Sequence, residues 1–158
     1  LYQDGEKFLY LGSSFDLILV AQQRAALLFD DGFTLRDNAQ NKAEAVFTRW
    51  YKERANEIIS ERVKHYAQQY GFTPKQVKIS SAKTRWGSCS HDGSLNFTWR
   101  LAMAPLDVID YVVVHELAHL RQMNHSARFW REVELLYPDY RAARQALREQ
   151  AEQLPRFE

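Results

Sequence analysis

Ala104-Pro105-Leu106-Asp107-Val108-Ile109-Asp110-Tyr111-Val112-Val113-Val114-His115-Glu116-Leu117-Ala118-His119-Leu120-Arg121-Gln122-Met123-Asn124-His125-Ser126-Ala127-Arg128-Phe129 is the stretch on which the reading of the chain turns. Pro105 suits a first helical turn, where its missing N–H is no loss, and Asp107 and Asp110 sit near the positive end of the helix dipole. Leu106, Ile109, Val113, Leu117 and Leu120 recur at helical spacing, which predicts one stripe turned to a core. His115 and His119 lie four residues apart on one face, so both imidazoles can reach a single metal ion. Glu116, beside the first of them, can reach a water held by that ion. Six residues on comes His125, past Asn124, which tolerates the left-handed turn that ends many helices. Such a turn would let the chain fold back and offer a third imidazole.

Three neutral nitrogen ligands leave one corner of a tetrahedral Zn²⁺ open, the mark of a catalytic rather than a structural site. A metal so held lowers the pKa of its water toward ~7 and polarises a carbonyl. Glu116 is then placed to take a proton from the water and pass it to a leaving amine. A different third ligand is also open to the sequence: Glu132 or Glu134 from the next helix. His125 is nearer and is the softer donor. Cys89 could also ligate zinc, but with three histidines at hand a small buried thiol is the better reading.

Working outward, Ser126 is a natural N-cap for a helix carrying Phe129, Trp130, Val133, Leu135 and Leu136. Tyr137-Pro138-Asp139 breaks it, and Asp139 can open a last helix to about Gln153. Upstream, Val77, Ile79 and Ser81 alternate with polar residues, a turn follows at His91-Asp92-Gly93, and Leu95, Phe97 and Trp99 alternate again. This predicts a β-hairpin over 76–101 that delivers the chain to the metal helix. Within it, Arg85-Trp86-Gly87-Ser88-Cys89-Ser90 reads equally as a bulge at Gly87 beside the site or as an arm packing Trp86 on the core. From Ala39 to Tyr70, apolar residues follow three-and-four spacing and Gly71 stands where a cap is wanted, which predicts one long amphipathic helix. Its large aromatics read as core, and His65 as a surface residue. Before it, short apolar runs with Asp30-Asp31-Gly32 as a hairpin turn predict a small antiparallel sheet over 1–38 that carries no chemistry.

The fold class is therefore α+β, and the 158 residues suit one metallopeptidase-like domain with a real core. Net charge is +1, with 21 basic and 20 acidic side chains, so charge gives no mandate for nucleic acid or an anionic membrane. The arginines of the last third alternate with acids and read as a solvated helical face. One cysteine excludes an internal disulfide, no apolar run reaches membrane-spanning length, and the expected location is the cytoplasm. Nothing in the composition sets an oligomeric state.

Taken together, Thr84 to Ser90, Leu95 to Leu101, Ala104-Pro105, Val112 to His119, Asn124-His125-Ser126 and Phe129-Trp130 resemble the YgjP-like family of zinc metallopeptidases. The resemblance implies a zincin-type fold, His115, His119 and His125 as zinc ligands, and Glu116 as catalytic acid/base. It implies a protein or peptide substrate, and it is similar to the SprT-like proteases, some of which act on DNA-bound proteins. The spacing from His115 to His125 is also that of the metzincins, but Gln122 stands where those carry glycine, and neither Met103 nor Met123 fits a methionine turn. In zincins the strand beside the metal helix can take an extended peptide as an added strand, and Ser94 to Leu101 is expected to serve. Tyr111, Tyr137 and Arg85 are candidates for oxyanion support. Two rival readings remain: a zinc-containing module that binds protein or nucleic acid without cleaving it, and a zinc amidohydrolase of a small substrate.

Overall fold

The computed structural model describes residues 1–153, with side chains through residue 150. Four strands open the chain, β1 (Lys7–Tyr10), β2 (Ser13–Val20), β3 (Leu27–Phe29) and β4 (Phe33–Arg36), paired in the order β1-β2-β4-β3. The expected antiparallel sheet is in fact mixed. β1–β2 and β3–β4 are antiparallel hairpins, but β2 and β4 run parallel, with Leu17 opposite Phe33 and Leu19 opposite Leu35. The physical reason lies in the connection after β2. Gln23 donates to the Thr34 carbonyl at 2.8 Å and accepts from its hydroxyl at 2.7 Å, which holds that loop across β4 and sends β3 to the far edge. The turn at Asp30-Asp31-Gly32 forms as expected, with Asp31 at a φ of 54°.

A 3₁₀ turn (Asp37–Lys42) then leads into α1 (Ala43–Tyr70), so the long helix begins four residues later than its periodicity implied. Phe47, Tyr51, Ala55, Ile59 and Val63 form its buried stripe at four-residue spacing. Gly71 ends it in the left-handed conformation, at a φ of 75°, with the Phe72 N–H returning to the Ala67 carbonyl. The stripe meets an aromatic stack running from Phe8 through Phe47 and Tyr51 to Trp99.

The second sheet corrects the expected hairpin over 76–101. β5 (Gln76–Ser80), β6 (Gly87–Cys89) and β7 (Ser94–Thr98) pair in the order β5-β7-β6. Only β6 and β7 form a hairpin, while β5 runs parallel to β7. The intervening residues cross the end of β7, fixed there by the Thr98 hydroxyl donating to the Ala82 carbonyl at 2.7 Å and the Thr98 N–H to the Trp86 carbonyl at 3.0 Å. Alternation identified β5 and β7 but missed β6, and it carried no information on which edge each would take. Trp99–Met103 is a 3₁₀ turn rather than strand, capped by the Thr98 hydroxyl.

That turn delivers the chain to α2 (Leu106–Ala118), followed by α3 (Ala127–Leu136) and α4 (Tyr140–Gln153). A single apolar stripe was expected on α2. Instead every residue from Val108 to Val114 is buried, and Leu106 is exposed. A helix covered on all sides is a central one, and α1, α3, α4 and β6 all pack on it. Asp110 does not serve the dipole: it takes a two-pronged ion pair from Arg62 of α1 at 2.7 and 3.0 Å, plus the Tyr66 hydroxyl at 3.2 Å. The N-terminal sheet grips the start of α2 as well. Gly12, at a φ of 86°, lies so close to Pro105 that an added Cβ would fall 2.8 Å from its ring. Among the described residues no helix is long and apolar enough to cross a membrane.

Candidate active site

His115 and His119 arise from the last turn and the C-cap of α2, and His125 from the loop before α3. One ligand atom of each lies within 4.8 Å of the others, which could hold a metal ion. Ring centroids are 5.0 Å apart for His115–His119, 5.2 Å for His115–His125 and 4.7 Å for His119–His125. Phe129, fully buried, floors the cluster: its ring stacks on His119 at 4.4 Å and meets the other two edge-on at 5.0 Å.

The loop that returns His125 does not use the left-handed turn expected at Asn124, which has no positive φ. Leu120 and Arg121 instead bond back to Leu117 and Ala118 in 3₁₀ fashion. Arg121 anchors the loop from outside. It donates to the Tyr70 carbonyl at 2.6 Å, stacks over Phe72 at 3.9 Å and pairs with Glu132. That pairing removes Glu132 as a third ligand, and Glu134 is exposed on α3. Ser126 then caps α3, accepting from the Phe129 N–H at 3.4 Å, which fixes where His125 enters.

Hydrogen bonding sets one tautomer. His119 Nδ1 lies 3.0 Å from the Gln122 carbonyl, which can only accept, so Nδ1 carries the hydrogen and Nε2 is left as a donor for a metal. Partial burial, and after it the neighbouring His115 and His119, hold the His125 imidazole below its ordinary pKa. The neutral form that ligation needs is thereby favoured.

Glu116 is 5% exposed and its Oε2 lies 3.2 Å from His115 Nδ1. On its other side is Gly87 of β6. A Cβ there would fall 3.0 Å from Glu116 Cγ, 3.1 Å from its Oε2 and 3.2 Å from the Asn96 carbonyl. The two readings of this segment resolve as follows: Gly87 lies beside the site, yet the pairing of β6 with β7 is continuous and holds no bulge. Glycine is required for close approach rather than for a kink. Cys89 faces the same side of β6. Burial, then Glu116 and Asp92, push its thiol up, and it stands outside the histidine cluster.

Strand β7 cannot take a peptide, because β5 and β6 occupy both its edges. β5 and β6 are the edge strands, and β6 is the one that lies against Glu116. Tyr111 is buried one turn before His115, with ring centroids 5.9 Å apart. Tyr137 lies toward Asp107 and Asp110 at the opposite end of α2, and Arg85 is exposed in the loop before β6. Neither joins the cluster. Trp130, to which sequence reasoning gave no role at the site, stacks on His125 at 6.3 Å.

A histidine triad on an HExxH helix, with its glutamate buried against a small edge strand, defines a metallopeptidase-type centre. The chain belongs to the YgjP-like metallopeptidase family, whose domain model matches residues 1–150. It is similar to the metallopeptidase zymogen abylysin of Pyrococcus abyssi, at 26% identity and a TM-score of 0.53, over 61% of this chain and 94% of that one. The metallopeptidase zymogen jannalysin of Methanocaldococcus jannaschii aligns at 17% identity and a TM-score of 0.48, over 64% of this chain and 97% of that one. A comparison with curated proteins gave no match.

Proposed function

We propose that this chain is a cytoplasmic zinc peptidase of one domain, in which His115, His119 and His125 hold the metal and Glu116 moves the proton. The observation that carries this reading is the convergence of three imidazole nitrogens within 4.8 Å, with the Glu116 carboxylate against the first ring. Neutral nitrogen donors on one side of the centre fit zinc, and the His119 tautomer already presents Nε2. Bound there, zinc supplies Lewis-acid polarisation of the scissile carbonyl and acidification of water.

The remaining work falls to the chain's own groups. The peptide lies extended along the free edge of β6, its backbone paired with that strand. Gly87 leaves room for Glu116 to reach the scissile bond. Glu116 Oε2 accepts a proton from the attacking water and delivers it to the departing amine nitrogen. Burial shields that carboxylate from bulk water, so the proton it takes is passed on rather than exchanged.

Glu116→Gln keeps the side chain's size and leaves the imidazoles in place. Metal content and melting temperature should be unchanged, while cleavage of a denatured protein falls by about 10²–10⁴-fold. Undiminished cleavage by that variant would remove Glu116 from the role.

A further inference from the structure

Arg144, on α4, stands next to the histidine cluster and has no carboxylate partner among the described residues. Its guanidinium carbon stands 4.5 Å from the centroid of the Trp130 ring. Trp130 is itself stacked on Tyr140 at 5.6 Å and on His125 at 6.3 Å. A single indole therefore separates Arg144 from the third imidazole. Arg49, Arg54, Arg62 and Arg121 each have a carboxylate partner. Among the described residues Arg144 has neither an ion pair nor a hydrogen bond, although it is half-buried. Arg141 and Arg148 share its helix face at three- and four-residue spacing and add to the same field.

The charge lies close to the site: the Trp130 ring that carries the guanidinium is the one stacked on His125. A guanidinium held over an indole face can keep its N–H donors for other partners, and among the described residues none of Arg144's is taken by a hydrogen bond. Those donors match a carboxylate in two-pronged fashion. A divalent ion on the histidines would add positive charge, of which Glu116 offsets one unit. The centre's surroundings thus attract an anion, and an extended peptide, rising about 3.3 Å per residue, brings side chains within reach of both Arg144 and the metal cluster.

We propose that Arg144, seated on Trp130, is a subsite for a substrate carboxylate close to the scissile bond, so that acidic peptides are preferred. The carboxylate comes either from an Asp or Glu side chain or from the peptide's own C-terminus. This rests on the peptidase reading above and names the substrate class.

The test uses the zinc-loaded 158-residue protein and matched fluorogenic peptides. One series places Glu or Gln at each of the positions flanking the cleaved bond, and a second compares C-terminal acid with amide. The wild-type protein should favour the acidic member of one pair by about tenfold to hundredfold in kcat/KM, the span of a charged hydrogen bond. Arg144→Gln should bring that ratio to near one, and Arg144→Glu should turn it toward a Lys-bearing peptide. Because each ratio is taken within one variant, loss of metal or of folded protein cancels. The series that responds identifies the source of the carboxylate. Titrating the same peptides onto Glu116→Gln protein, followed by tryptophan fluorescence, reads the preference as affinity without turnover. An acid preference in binding with no cleavage by the wild type would leave the subsite standing and remove the peptidase reading. Cleavage of both members at equal rates, or a preference that survives Arg144→Gln, would overturn the subsite alone.

Discussion

Gly87 shows how narrowly one position can govern the chemistry. With a Cβ expected 3.0 Å from Glu116 Cγ and backbone 3.2 Å away on the other side, Gly87→Ala must displace the carboxylate or the strand. The carboxylate is the freer of the two. Misplacing a proton-transfer group by a fraction of an ångström to one ångström is expected to lower kcat by about 10–100-fold. Metal content should hold, since the three atoms nearest a Cβ at 87 belong to Glu116 and Asn96 rather than to a histidine, and steady-state kinetics beside metal analysis would separate the two effects. A kcat equal to that of the wild type would show that Glu116 has slack. That His115 and His119 meet was legible from spacing alone, because a helix converts a four-residue interval into a shared face. The need for glycine at 87 was half legible: an unusual cluster of residues marked the place, but the neighbour that demands it lies 29 positions away in sequence.

At the scale of elements, α2 is held on α1 by Asp110, Arg62 and Tyr66. Side chains of the ion pair are 20% and 11% exposed, and removing one partner strands the other largely out of water. Asp110→Ala is expected to cost about 3 kcal/mol of unfolding free energy, seen as a lower denaturant midpoint. A loss under ~0.5 kcal/mol would mean that solvent screens the pair. Tyr66 adds a pH signature. Burial first, and Asp110 next, push its phenol up to about 12. A raised acid holds its proton in the folded state after the unfolded chain has released it, so this contribution is full below about pH 10 and fades toward pH 12. Tyr66→Phe should therefore flatten part of the alkaline loss of stability in urea melts from pH 9 to 12. Periodicity revealed α1, with its cap at Gly71, and every strand except β6. It misjudged α2 as one-sided and assigned 76–101 to a single hairpin. An apolar pattern records how much of an element is covered, and not which partner covers it.

Across the whole molecule, the histidine cluster joins α2 to the loop before α3, so a metal held there would link binding to folding. Zinc at a hundredfold excess over its Kd is expected to add about 2.7 kcal/mol to unfolding. For a chain of this size that raises Tm by about 5–10 °C over the chelator-treated protein. His125→Ala should abolish most of that rise while leaving the Tm of the metal-free protein within a few degrees, since His125 is largely exposed. An equal zinc-induced rise in that variant would exclude His125 as a ligand. The sequence by itself determined the α+β class and the helix that carries His115, Glu116 and His119, because these depend on short-range spacing and periodicity. Tertiary structure alone decided that β6 is the edge strand beside the site, that Gly87 abuts Glu116 and that Arg144 stands over Trp130 without an ion pair among the described residues. Those are meetings between segments distant in the chain, and only the packing of the helices and strands against one another brings them about.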